Sequence, residues 1–135
     1  AVYGFTSMPP MPPRPQDTLG RARAVRQVLE YARSTPQAVI GLAPEGRDSP
    51  GAVLCQPPPG VGRFVLHLAH QGLPILPVGA YEAEGRYCLR FGAPYNLPPA
   101  ESLAPEERDR LASQVVMAHI ARLLPQYLRG DFVFA

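Results

Sequence analysis

The chain has 135 residues and a mass of 14.7 kDa, a size that forms one domain and buries roughly 65 to 70% of its unfolded surface. Its 18 prolines and 12 glycines exceed the ordinary combined usage of about 12%; this excludes a coiled coil or a bundle of long helices, while an apolar fraction of 46% supplies a core. The 13 basic residues are all arginine, and 11 acids leave a formal charge of +2, too small a balance to imply nucleic acid.

Residues 1–16 hold Met8-Pro9-Pro10 and Met11-Pro12-Pro13 and read as an extended, proline-rich arm. Asp17 or Thr18 caps a helix running to Arg33, with Ala24, Val25, Val28, Leu29 and Ala32 on one face. Ser34-Thr35-Pro36 stops it. Gln37 to Leu42 is nearly continuous in apolar residues and predicts a short strand covered on both faces. It runs into the polar turn Ala43-Pro44-Glu45-Gly46-Arg47-Asp48-Ser49. A proline-rich loop ends at Pro57-Pro58-Pro59-Gly60, and a second helix is expected from Val61 to Gln71. Further strands are expected at Ile75–Ala80 and Tyr87–Phe91, about a turn at Glu84-Gly85. The last helix starts at Pro105-Glu106-Glu107, where proline and acids suit a helix N-terminus, and Val116, Ile120, Leu123 and Tyr127 mark its buried face. This order predicts an α/β fold, a layered sheet with flanking helices. If the strands on either side of the second helix are parallel, their crossover is right-handed. The domain spans residues 17–130, and residues 131–135 form a tail.

Two isolated cysteines, Cys55 and Cys88, read as reduced thiols in a reducing compartment. No apolar run reaches the ~18 residues of a membrane span, and no signal peptide is visible; a cytoplasmic location is expected. His67 and His70 lie three apart on one helix but lack a third ligand or an HExxH pattern, so no metal is expected. His119 reads as structural. Ser49 is not in a nucleophile elbow, and Cys55 has no neighbouring base. Functional chemistry is expected at the polar turn, because ligands of α/β sheets collect at the carboxyl ends of strands. There Pro44 restricts the backbone, Gly46 permits a tight turn, and Glu45 and Arg47 can point into a crevice. Gly60-Val61-Gly62-Arg63 opens a helix whose free N–H groups can receive an anion, with Arg63 in support, although it is not a P-loop.

The segment Gly41-Leu42-Ala43-Pro44-Glu45-Gly46-Arg47-Asp48-Ser49 resembles the third conserved block, F-P-E-G-T-R-S, of the glycerophosphate and lysophospholipid acyltransferase family. Gly60-Val61-Gly62-Arg63 with Leu68-Ala69 looks like the helix after it. Leu73-Pro74-Ile75-Leu76-Pro77-Val78 is similar to the fourth block, and Leu89-Arg90-Phe91-Gly92-Ala93-Pro94 to the later v-x-x-G-x-P segment. The match spans residues 18–128. The resemblance implies transfer of a fatty acyl group from acyl-CoA or acyl-carrier protein to a hydroxyl of glycerol 3-phosphate, a lysophospholipid or a related acceptor. The acyl donor is a substrate, and no bound cofactor is implied. It makes Glu45, Gly46, Arg47, Arg63, Pro74 and Pro77 the substrate-binding candidates and implies a domain that is soluble or peripheral at the inner face of a membrane. A long acyl chain needs an apolar groove, and Met8, Met11, Val133 and Phe134 are candidates to line it or to touch a bilayer surface.

Two departures bear on this. The family's H-x-x-x-x-D general-base block is absent: five residues after His67, His70 and His119 stand Gly72, Ile75 and Leu124. No arginine pattern of the second block precedes the third, Tyr3-Gly4-Phe5 supplying none. In the third block Arg47 takes the usual Thr position and Asp48 the usual Arg position. The resemblance therefore implies the C-terminal portion of an acyltransferase domain, inactive alone, whose partner is the missing N-terminal part. The alternative is a non-catalytic phosphate- or lipid-binding domain derived from that fold.

Overall fold

The computed structural model describes residues 16–47 and 49–132. The proline-rich arm with Met8 and Met11, and Asp48, Val133 and Phe134, lie outside the described residues. The chain divides into two compact units, Ala1–Gly41 and Leu42–Ala135.

In the first unit, helix α1 spans Thr18–Ser34. The Asp17 carboxylate accepts the Gly20 N–H at 2.9 Å, satisfying one of the donors that a helix start leaves open. The expected stripe is correct: Ala24 is buried, Val25, Val28, Leu29 and Ala32 are half-buried, and Arg23, Arg26 and Arg33 face solvent. The Arg33 guanidinium pairs with Glu30 one turn earlier. The strand expected over Gln37–Leu42 does not form. That segment belongs to no strand or bridge among the described residues, and Val39 is 86% exposed. An apolar run becomes a strand only through a ladder with a neighbour, and its own composition cannot provide one.

The second unit holds α2 (Val61–Ala69), β1 (Val78–Ala83), β2 (Arg86–Phe91) and α3 (Pro105–Ala121), with 3₁₀ turns at Pro50–Ala52 and Gln126–Leu128. It is mixed α/β. The expected layered sheet is here a two-stranded antiparallel hairpin: Val78 pairs with Phe91 and Ala83 with Arg86, so there is no parallel crossover about α2 among the described residues. The Glu84-Gly85 turn is where the sequence puts it, with φ of 51° and 70°, the doubly left-handed form that matches strand twist. β1 begins three residues later than expected, because Ile75 bridges Tyr95 and Pro77 has no N–H to donate to a ladder.

α3 is the common wall. Gly62 of α2 meets it so closely that a Cβ there would stand 2.0 Å from the Asp109 carbonyl oxygen and 2.7 Å from Ser113 Oγ. Further along, Leu123 fills the space above Gly79 and Gly92 of the hairpin. The core joins Leu54, Met117, Ala121, Leu124, Leu128 and Phe132, with Tyr81 and Ile120 against it. Of the face expected on the last helix, Val116 is buried and Ile120 and Leu123 are half-buried. Tyr127 is instead 68% exposed: the helix ends at Ala121, the period breaks, and Leu124 and Leu128 turn inward. Arg129 Nε donates to the Leu124 carbonyl at 2.9 Å, satisfying an acceptor just past the helix end.

Gly62→Ala is expected to lower stability by about 1–3 kcal/mol, since an added methyl group at a closed helix contact forces backbone displacement. Urea unfolding checks this as a lower midpoint at unchanged slope.

Candidate functional site

The polar turn is built locally first. Gly46 N–H donates to the Ala43 carbonyl at 3.2 Å, and Gly46 adopts φ +64°, a conformation glycine takes without strain. Glu45 Oε1 accepts the Cys55 N–H at 2.6 Å in a partly buried setting. This bond ties the turn to the loop ten residues on and fixes the carboxylate as an organiser of the loop. The neighbouring Leu54 N–H donates to the Leu128 carbonyl at 2.8 Å. Successive N–H groups of the extended 53–55 segment thus hold the turn and the C-terminal part of the core. Ser49 Oγ donates to the Val53 carbonyl, closing the loop between.

The turn also adjoins the start of α2: a Cβ at Gly46 would lie 3.8 Å from Pro58 Cγ. Gly60 caps α2 at φ 96° with no side-chain bond of its own. Its N–H donates to Asp109 Oδ2 at 2.7 Å, and the Arg63 N–H donates to Asp109 Oδ1 at 2.9 Å. The groups offered by sequence to an external anion are therefore held by the chain's own carboxylate, carried on α3. A phosphate at this helix start would have to displace Asp109 or face its charge. Arg47 and Arg63 are exposed.

Of the six substrate-binding candidates, Glu45, Gly46 and Arg47 share the turn, and Arg63 lies on the helix whose preceding loop touches it. Pro74 and Pro77 lie between α2 and β1, Pro74 exposed and Pro77 buried. The Pro77 carbonyl accepts the Gly92 N–H at 3.0 Å, and a Cβ at Gly92 would stand 2.8 Å from Pro77 Cγ. The P-E-G turn thus adjoins the loop into α2, and the Leu73–Val78 segment adjoins the segment around Gly92.

His70 Nε2 stands 3.9 Å from Glu101 Oε1 at the surface, and His67 is exposed. Among the described residues no group of three or more His, Cys, Asp or Glu could hold a metal ion, and no helix is long and apolar enough to cross a membrane. His119 has a definite setting: its ring stacks on Tyr95 with centroids 3.6 Å apart and planes 8° from parallel. Burial, and then the charge of Arg122, lower its pKa. The Tyr95 phenol is pushed up to about 12 by burial. Sequence reasoning missed Asp109 and Tyr95; in both cases the partner is remote in the chain and no short motif joins the two.

No family model, curated protein or solved structure matches the chain.

Asp109→Ala leaves the Gly60 and Arg63 N–H groups without their acceptor and is expected to cost about 1–2 kcal/mol, as for loss of an N-cap, with Asp109→Asn losing less; chemical denaturation reads the difference. The stacked His119 gives a pH dependence of known sign. Its folded pKa lies below the unfolded value of 6.5, so the unfolded chain binds the proton first as pH falls. Its stabilising contribution is present above that value and is lost as pH drops through the folded pKa. Between about pH 7 and about pH 5, the urea midpoint of the parent chain should fall more than that of His119→Phe, which keeps a ring against Tyr95 but cannot titrate.

Proposed function

We propose that this chain carries the substrate-positioning part of a glycerophosphate or lysophospholipid acyltransferase site on a partial glycerolipid acyltransferase-like fold. The observation that supports this most is the Glu45–Cys55 hydrogen bond. It gives the P-E-G turn a defined shape beside the loop leading into α2, so two of the four resembling segments adjoin each other. The contact of Pro77 with Gly92 joins the other two.

The reaction is acyl transfer from acyl-CoA or acyl-carrier protein to an acceptor hydroxyl. A histidine paired with an aspartate removes the hydroxyl proton, the oxygen attacks the thioester carbonyl, and the thiolate leaves. The 135 residues contain no H-x-x-x-x-D, so that base comes from polypeptide outside this sequence and the chain alone transfers nothing. Within the chain, Glu45 and Gly46 hold the turn, and Arg47 and Arg63 supply guanidinium forks for the acceptor phosphate. Pro74 and Pro77 shape the wall beside the acyl or acceptor group. With Asp109 on the N–H groups of α2, phosphate recognition rests on the two arginines. The expected setting is cytoplasmic, with peripheral contact at the inner membrane face.

Calorimetric titration of the folded chain with glycerol 3-phosphate, lysophosphatidic acid and a long-chain acyl-CoA tests the reading. Acceptor binding is expected, weakened about tenfold (about 1.4 kcal/mol) by Arg47→Ala or Arg63→Ala and unchanged by Arg110→Ala on exposed α3 surface. Absence of binding to all three ligands overturns the acyltransferase reading. Acyl transfer by the chain alone overturns the assignment of the base to another segment.

A further inference from the structure

We propose that two copies of this chain pair through the free edges of β2, antiparallel about Leu89, to make a four-stranded sheet. This is independent of the acyltransferase reading. Among the described residues β2 pairs only with β1. It is exposed at every position except Cys88, which is half-buried. The residues of one face are apolar and open: Tyr87 is 91%, Leu89 61% and Phe91 64% exposed. On the opposite face Arg90 lies over the Tyr81 ring at 5.2 Å, and Tyr81 packs against the core. A strand whose outer backbone groups are unpaired among the described residues is a template for another strand.

The ladder fixes which backbone groups are free. Ala83 and Arg86 flank a two-residue turn, and Gly92 N–H donates to Pro77. The residues of β2 that bond toward β1 are therefore the even-numbered ones, and Tyr87, Leu89 and Phe91 direct their N–H and C=O groups outward. Paired with itself antiparallel, the same edge is both donor and acceptor, and a two-fold axis closes it.

Charge excludes two registers, and the number of outward residues paired selects among the rest. With Cys88 on the axis, Arg86 stands opposite Arg90 of the second copy, twice. With Arg90 on the axis, the two Arg90 side chains oppose each other. Like charges directly opposite disfavour both. With Leu89 on the axis no arginine meets another: Arg90 faces Cys88, Arg86 faces Gly92, and Tyr87 faces Phe91 in two aromatic cross-strand pairs. This register also uses all three outward residues as hydrogen-bonded pairs. An interface of one short strand is small, so the dimer exchanges quickly and its population depends on concentration.

The full chain should sediment at 14.7 kDa when dilute and move toward twice that mass as its concentration rises, and Leu89→Pro, which removes an edge N–H, should abolish the shift. The register is read by cross-linking in a Cys55→Ser/Cys88→Ser background. Directly opposed Cα atoms lie about 5.5 Å apart, within disulfide reach, so Leu89→Cys should oxidise to a covalent dimer severalfold faster than Tyr87→Cys. Random collision favours the more exposed position and reverses that order. A monomer at every concentration, or Tyr87→Cys cross-linking as fast as Leu89→Cys, overturns the proposal. So does a dimer that forms only when residues 1–15 are deleted, which would make that segment the occupant of the edge.

Discussion

α2 is nine residues long and begins without a capping side chain of its own, a helix too short to be stable alone in water. What holds its start is a carboxylate from another helix: Asp109 takes the Gly60 and Arg63 N–H groups, 49 and 46 residues away in sequence. This bridge works only because Gly62 has no Cβ, so that the two backbones approach to a distance any side chain would forbid. Three features of the sequence therefore act as one device. Gly60 supplies the left-handed backbone at the cap, Gly62 supplies the close approach, and Asp109 supplies the charge that satisfies the donors and opposes the positive end of the helix. The loop before α2 is anchored by the same contact, and through Pro58 it adjoins the Glu45 turn.

The far end of α3 repeats the pattern with apolar groups. Leu123 fills the gap left by Gly79 and Gly92, so the hairpin lies against the end of the helix on glycine rather than on interdigitated side chains. Beyond the helix, Gly130 comes so close to the Leu54 carbonyl that a Cβ would stand 2.3 Å away. The 53–55 segment is fixed there, and its next N–H, that of Cys55, reaches Glu45. A candidate site residue in a polar turn thus owes its position to the packing of a core that it does not enter.

What could be read in the sequence follows the range of the interactions. α1, α2, α3 and the Glu84-Gly85 turn are marked by periodicity, proline and glycine punctuation and turn chemistry within a few residues, and each stands close to its expected place, although the start of α2 is held by a remote carboxylate. The Gln37–Leu42 strand depended on a partner that composition cannot name, and it does not form. Tyr127 continues the helical period of α3 in sequence, but the chain leaves the helix after Ala121, and the turns that follow direct Leu124 and Leu128 to the core in its place. At the candidate site the turn and Gly46 were legible because proline and glycine constrain backbone locally. The Glu45 bond to Cys55, the Asp109 bridge and the Tyr95–His119 stack were not, because each joins residues that no motif spaces together.

The Asp109 bridge also constrains the chemistry open to the site. A helix start normally attracts phosphate through unpaired N–H groups and its positive end, and the glycine-rich run Gly60–Arg63 offers that arrangement in sequence. Here the donors already hold a carboxylate, and a dianionic phosphate brought to the same place meets like charge instead of an empty cradle. On the proposed reading, recognition of such a ligand falls to guanidinium groups at the exposed positions Arg47 and Arg63. Attraction between exposed charges is screened within about 10 Å at 0.1 M salt, so the binding proposed at these arginines is expected to be salt-sensitive. The same carboxylate that stabilises α2 therefore closes the backbone route to anion binding at this helix start.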